Sequence, residues 1–117
     1  MNSTHGVVDP DTELSRNLID ALVRIPVTSV IENRRLLISL VRRSFSRFPE
    51  VRELSEPRLH LAGIVVACLR EPVGLWALQS ALLAMAPDEH GTRKACQLIE
   101  SAGLKRCTSF ARTASST

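Results

Sequence analysis

The chain has 117 residues, 44% of them hydrophobic, which is enough for one compact domain with a single core. Three Phe, one Trp and no Tyr leave that core to aliphatic side chains. The longest run without a charged residue, 72–87, contains Pro72, Gly74 and Pro87, so it is too short and too broken to span a bilayer. The first residues also lack the pattern of a secretory signal. We therefore expect a cytoplasmic protein with no membrane partner.

The net charge of +3 is unevenly distributed along the sequence. Residues 11–101 hold 12 Lys and Arg against 11 Asp and Glu, whereas residues 102–117 hold Lys105, Arg106 and Arg112 and no acid. A nucleic-acid-binding domain usually carries its positive charge on the folded surface. The nearly neutral body therefore argues against nucleic acid as the main partner.

The cysteines and histidines do not form a recognisable metal or catalytic motif. They are Cys68, Cys96, Cys107, His5, His60 and His90. The cysteines include no Cys-x-x-Cys pair, which is typical of free thiols in a reducing cytoplasm. The histidines show no ligand spacing, and the sequence contains no glycine-rich phosphate loop and no nucleophile motif. We predict no catalytic, cofactor-binding or metal-binding residues, and hence no enzyme.

Hydrophobic periodicity predicts five helices. The first is capped by Asp11 or Thr12 and ends at Ile25. The second begins near Thr28 or Ser29 and gives way at residue 44, and a short turn can separate residues 27–31 from its main part. The third is capped by Ser55, the fourth runs from about Val73 to Met85, and the fifth is capped by Asp88 and ends at Gly103 as a C′ glycine. Residues 44–56 are the least regular segment, and we expect either Phe45 or Phe48 at the edge of the core.

The segment 68–78 joins the third and fourth helices without a loop, because Pro72 stops one helix and can start the next. The sequence contains no strand pattern. The predicted fold is therefore all-α, a compact bundle of about five helices over residues 11–103, between a flexible N-terminus at 1–10 and a disordered tail at 104–117. Six inward positions are predicted to be buried together: Leu22, Leu40, Val65, Leu69, Leu78 and Leu82.

Arginine is concentrated on and just after the second helix. Arg34, Arg35, Arg42, Arg43 and Arg47 lie between Glu32 and Glu50 with no acid among them. Three interpretations stay open: a solvated face, a basic patch for an acidic protein partner, or a nucleic-acid contact. The acids Glu50, Glu53 and Glu56 follow directly, and they can neutralise the patch within the fold or meet it on a second copy.

Trp76 lies off the apolar stripe of the fourth helix. It either fills the junction of the third and fourth helices or stands partly exposed, where a Trp is a candidate hot spot for binding. The candidate partner-binding residues are therefore Arg34, Arg35, Arg42, Arg43, Arg47, Glu50, Glu53, Glu56 and Trp76.

Three segments resemble the type-2 effector-associated domains of bacterial conflict and signalling systems. They are residues 17–26 with their closing Pro26, residues 33–38 with their Arg-Arg-Leu-Leu core, and residues 64–75 followed by Ala77 and Leu78. The likeness covers about residues 14–103. It implies a small death-domain-like adaptor, of a kind usually fused to an effector such as a protease, nuclease, kinase or NTPase-linked enzyme.

The resemblance implies a non-enzymatic function through contact between like domains, so that effector and sensor are brought together. The expected partner is another protein with a similar helical domain, and self-association is open. The alternative from a different class is a small helical regulator that binds nucleic acid through the Arg-rich second helix and the basic tail.

Overall fold

The computed structural model describes the backbone of residues 10–115 and the side chains of residues 12–103. The elements are α1 (Pro10–Val23), a 3-10 turn (Pro26–Ser29), α2 (Ile31–Ser44), α3 (Pro57–Cys68), α4 (Pro72–Met85) and α5 (His90–Ser115). No strand occurs in the described backbone. The predicted all-α bundle of five helices is therefore confirmed.

Proline determines where two of these helices begin. Pro57 and Pro72 occupy the first turns of α3 and α4, where a missing N–H costs nothing. The cap of α3 is Glu56, whose carboxylate accepts a hydrogen bond from the Leu59 N–H at 3.2 Å. The predicted cap at Ser55 is wrong, because Glu56 is the residue that Pro57 holds in the extended conformation needed at a cap.

The ends of α1 also differ from the prediction. The helix begins at Pro10, before the predicted caps Asp11 and Thr12, and it ends at Val23. Ile25 lies beyond the helix but is fully buried. Its spacing from the other apolar residues of α1 therefore indicated a buried position and not a helical conformation. The predicted short turn before the second helix is present as the 3-10 turn, whose Thr28 hydroxyl donates to the carbonyls of Leu22 and Ile25.

The predicted end of α5 at Gly103 is wrong, because the helical backbone continues to Ser115. A Cβ atom on Gly103 would lie 2.5 Å from Cζ2 of Trp76. Glycine is therefore required at this position by the packing of the indole ring and not by a left-handed cap. Residues 1–9 and 116–117, and the side chains of 104–115, lie outside the described residues, so flexibility at the N-terminus and disorder of the tail stay predictions.

The core lies where α1 packs against α3 and α5 and where α4 packs against α2, α3 and α5. Of the six residues predicted to be buried, Leu22, Val65, Leu78 and Leu82 are fully buried, while Leu40 and Leu69 are half-buried at its edge. Both phenylalanines of the irregular segment, and not one of them, are buried. Their rings meet edge to face with centroids 6.0 Å apart.

Two glycines allow helices to approach each other closely. A Cβ on Gly74 would overlap the carbonyl group of Cys68, which explains how α3 and α4 join without a loop. A Cβ on Gly91 would lie 2.5 Å from the carbonyl oxygen of Ala21 and 2.7 Å from Cγ1 of Ile25, so α5 presses directly on the end of α1.

Candidate protein-interaction surface

Arg34, predicted to bind a partner, is instead a buried structural residue with 1% of its surface exposed. Its guanidinium donates hydrogen bonds to the carbonyl of Thr28 at 2.8 Å, the carbonyl of Leu54 at 3.2 Å and Nδ1 of His60 at 2.8 Å. It thereby joins the 3-10 turn, the irregular segment and α3 to α2. That part of the site prediction is wrong, because a partner protein cannot reach this side chain.

His60 depends on Arg34 for its protonation state. Its Nδ1 accepts the hydrogen bond from Arg34, so the neutral ring carries its proton on Nε2. Burial, together with the positive charge of Arg34, lowers the pKa of His60. The imidazole therefore acts as a neutral acceptor inside the fold.

Arg35, Arg42 and Arg47 are exposed, and each contacts a carboxylate of the same chain. Arg35 donates two hydrogen bonds of 2.7 Å to Glu53, which raises the pKa of Arg35 and lowers the pKa of Glu53. Arg42 lies 3.7 Å from Glu50. The acids that follow α2 thus neutralise part of its basic face within the fold, as one of the open interpretations held.

The remaining charged candidates have separate positions. Arg47 pairs with Glu71 at 2.9 Å, next to the start of α4. Arg43 is exposed and forms no hydrogen bond or ion pair with the described residues. Glu56 serves as the cap of α3. The nine candidates therefore do not form one patch.

Trp76 is 43% exposed and lies on the outer side of α4. One side of its ring covers Gly103 of α5, as the distance above shows. Of the two alternatives open from the sequence, the structure shows the partly exposed one. Val73 and Leu83, three residues before and seven residues after it, are also exposed.

Sequence reasoning missed an apolar stripe on the outer side of α3. Leu59 is 58% exposed and Val66 is 53% exposed, more than any other large apolar side chain described. With Gly63 they line a shallow groove of about 200 Å³, which we call the α3 groove, and we refer to these three residues as its floor. Its lining also includes the charged residues Glu50, Arg52 and Arg70, which we call its rim, and residues of the segment 49–54, which we call its far wall. The spacing of 59, 63, 66 and 70 follows one helical face and was the available signal.

A larger groove of about 440 Å³ lies between α1 and α5. Its walls carry Asp20, Arg24, His90 and Lys94, and Asp20 is held by Arg58 at 2.6 Å. The mixture of exposed charges of both signs indicates no single class of ligand.

The thiols and histidines of the described residues do not gather into a site. No group of three or more His, Cys, Asp or Glu side chains within residues 12–103 is arranged to hold a metal ion. Burial raises the pKa of the Cys68 thiol to about 12, which leaves it unreactive at neutral pH. Cys107 lies outside the described side chains. In the described part of the chain, no helix combines the length and the apolar character needed to cross a membrane.

Comparison with known protein families matches the family model of effector-associated domain 2 to residues 19–100. The match begins within α1, includes α2, α3 and α4 whole, and ends within α5. The searches of curated proteins and of solved structures gave no match. The family model covers more than half of the chain and agrees with the resemblance drawn from residues 17–26, 33–38 and 64–75. The chain therefore belongs to the effector-associated domain 2 family.

Proposed function

We propose that this chain is a non-enzymatic, cytoplasmic adaptor domain. It binds another protein that carries a similar helical domain, and it thereby tethers an effector to its sensor or NTPase in a bacterial conflict or signalling system. Membership of the effector-associated domain 2 family supports this function. The mechanism is non-covalent binding through the surface described above.

The observation that carries the proposal is the α3 groove. Leu59 and Val66 are each more than half exposed, two turns apart on one face of α3, among charged residues that line the same groove. An exposed apolar surface framed by charged residues is typical of a protein-binding site. An adaptor needs no more than such a surface, since tethering alone can raise an apparent affinity by about 10²–10⁴.

The nucleic-acid alternative loses support from the positions of the arginines. A binding face for phosphates needs several free cations. Of the five arginines on and just after the second helix, Arg34 is buried and Arg35, Arg42 and Arg47 lie against carboxylates of their own chain, which leaves Arg43. We therefore keep protein binding as the one proposed function.

The test measures binding between this chain and helical domains of the same family encoded by neighbouring genes, by isothermal titration calorimetry. We expect saturable binding to at least one of them. The double variant Leu59→Gln with Val66→Gln should weaken it, whereas Leu83→Gln, which changes an exposed leucine of α4, should leave it unchanged.

A second arm examines charge and nucleic acid. The double reversal Arg42→Glu with Arg43→Glu is titrated against the same domain at low and at high salt, after circular dichroism has shown that the variant is folded. Random-sequence duplex DNA is titrated in parallel. No binding to any such domain, together with salt-dependent binding to the DNA, would replace the adaptor with the nucleic-acid regulator.

A further inference from the structure

The outer side of α2 forms a narrow ridge. Glu32, Leu36, Ser39 and Arg43 follow one another at helical spacing, all four are exposed, and we call them the α2 ridge. Leu36 is 48% exposed, third among the described large apolar side chains after the two that floor the α3 groove. Neither Glu32 nor Arg43 forms an ion pair or a side-chain hydrogen bond with the described residues. The ridge thus presents one exposed apolar residue between two exposed charges of opposite sign.

The rim of the α3 groove carries the complementary features. Arg52 and Arg70 are exposed and have no ion-pair partner among the side chains of residues 12–103. Glu50 contacts Arg42 at 3.7 Å, but its side chain remains 98% exposed and free to meet another cation. The groove therefore offers an apolar floor, two free cations and an accessible carboxylate.

We propose that the α2 ridge of one copy docks into the α3 groove of a second copy of this chain. Leu36 lies on the floor formed by Leu59 and Val66, Glu32 meets the free arginines of the rim, and Arg43 meets Glu50. This inference rests on the proposed adaptor function and names its partner and its two surfaces.

Docking of groove against groove is disfavoured by charge. It would bring together two rims that each carry two arginines against one carboxylate, and like net charges across an interface oppose association. The ridge avoids this conflict because it supplies a carboxylate to the arginines and an arginine to the carboxylate. The charges therefore select the ridge, and not a second groove, as the occupant.

Ridge and groove are different surfaces, so the contact is heterologous. Each bound copy retains either a free ridge or a free groove, and the assembly can extend beyond a dimer. Growth of this kind would concentrate whatever each copy carries. The groove is small, so we expect a weak contact, with a Kd above about 1 µM, as for transient interfaces below about 1,200 Å².

The heterologous geometry permits a complementation test. The ridge variant is Leu36→Gln, the groove variant is Leu59→Gln with Val66→Gln, and the control is Leu83→Gln. All four positions are exposed, and Gln is a good helix former, so the fold should be kept and is checked by circular dichroism. The mass of the full chain is followed by sedimentation velocity over a range of concentrations.

We expect the wild type and the control to grow beyond a dimer as concentration rises. Each variant alone should associate about tenfold or more weakly, the effect of losing a central apolar contact. An equimolar mixture of the two variants should form a one-to-one dimer and stop there, since the intact ridge of one fits the intact groove of the other.

Three results would overturn the inference: a mixture that stays monomeric, a control that loses association, or a wild type that stays monomeric at every concentration. The last result leaves the adaptor function standing if the same preparation still binds a domain encoded by a neighbouring gene. Failure of that binding as well would remove the adaptor function.

Discussion

Arg34 and Arg35 are adjacent in the sequence, but the first is buried and the second is exposed. Replacing each by alanine therefore gives a matched pair of variants. Arg34→Ala removes a buried guanidinium that donates to Thr28, Leu54 and His60. Arg35→Ala removes an exposed guanidinium that pairs with a carboxylate of the irregular segment. We expect the first variant to lose much of its stability and the second to unfold close to the wild type.

The magnitude for Arg34→Ala follows from the acceptors that it would leave behind. Each buried acceptor without a partner costs about 1–3 kcal/mol, and three acceptors within 3.2 Å are affected. Two effects reduce the sum: the Leu54 carbonyl is only partly buried, and removing a buried cation also removes its desolvation cost. We expect a net loss of about 3–5 kcal/mol, a large share of the 5–15 kcal/mol typical of a domain.

The assay is urea unfolding followed by circular dichroism, with the fluorescence of Trp76 as a second probe of two-state behaviour. Arg34→Lys should also be destabilised, since one ammonium group cannot reach acceptors in three directions. A loss below about 1 kcal/mol for Arg34→Ala, or an equal loss for Arg35→Ala, would refute the reasoning.

Three further predictions concern the core, the helix contacts and pH. Leu78→Ala, at a fully buried position, should cost about 2–5 kcal/mol in urea unfolding and more than Leu69→Ala at the edge of the core. Gly91→Ala should lower the melting temperature because its Cβ would press on the backbone of α1, whereas Gly63→Ala, which meets only a side-chain methyl at 3.1 Å, should not. The pKa of His60 in the folded state lies below its ordinary value of about 6.5, so His60 contributes fully to stability above pH 6.5. This contribution is lost as the pH falls from about 6.5 towards the pKa of the folded state. His60→Gln should flatten this part of a plot of unfolding free energy against pH, and an unchanged slope would contradict the assignment.

The helices were predictable because their signals are local. Apolar spacing and the prolines located five helices, and Pro72 begins the fourth as expected. The end of α5 could not be predicted from Gly103, since the same residue serves either a left-handed cap or close packing of a ring. Only the position of Trp76 in three dimensions distinguishes these two uses.

The positions of the arginines on α2 could be predicted only in part, for a different reason. Charge alone placed Arg34 outside, yet Arg34, Leu37 and Val41 share the spacing of one inward stripe, and all three are buried. An arginine can hold such a position when carbonyl oxygens surround it, but the acceptors lie 6 and 20 residues away in sequence. The floor of the α3 groove had a signal in the spacing of its residues, but its far wall did not, because that wall comes from a segment with no regular periodicity.

The charges that sequence reasoning assigned to a partner instead hold the wall of the groove in place. The segment 49–54 has no helix or strand of its own, and it is attached to α2 by Arg34 at Leu54, by Arg35 at Glu53 and by Arg42 at Glu50. Salt weakens the two exposed pairs, but it screens the part-buried hydrogen bond from Arg34 to Leu54 less and leaves the contacts of the buried phenylalanines that precede the segment. The wall should therefore persist at high salt. For the same reason, removing Arg35 or Arg42 should weaken the attachment of the wall without detaching it. The same segment is thus held by the fold and forms part of the proposed binding site. Leu36→Gln and Val66→Gln lie outside its ion pairs, so they remove a contact with the partner without weakening the attachment of the segment.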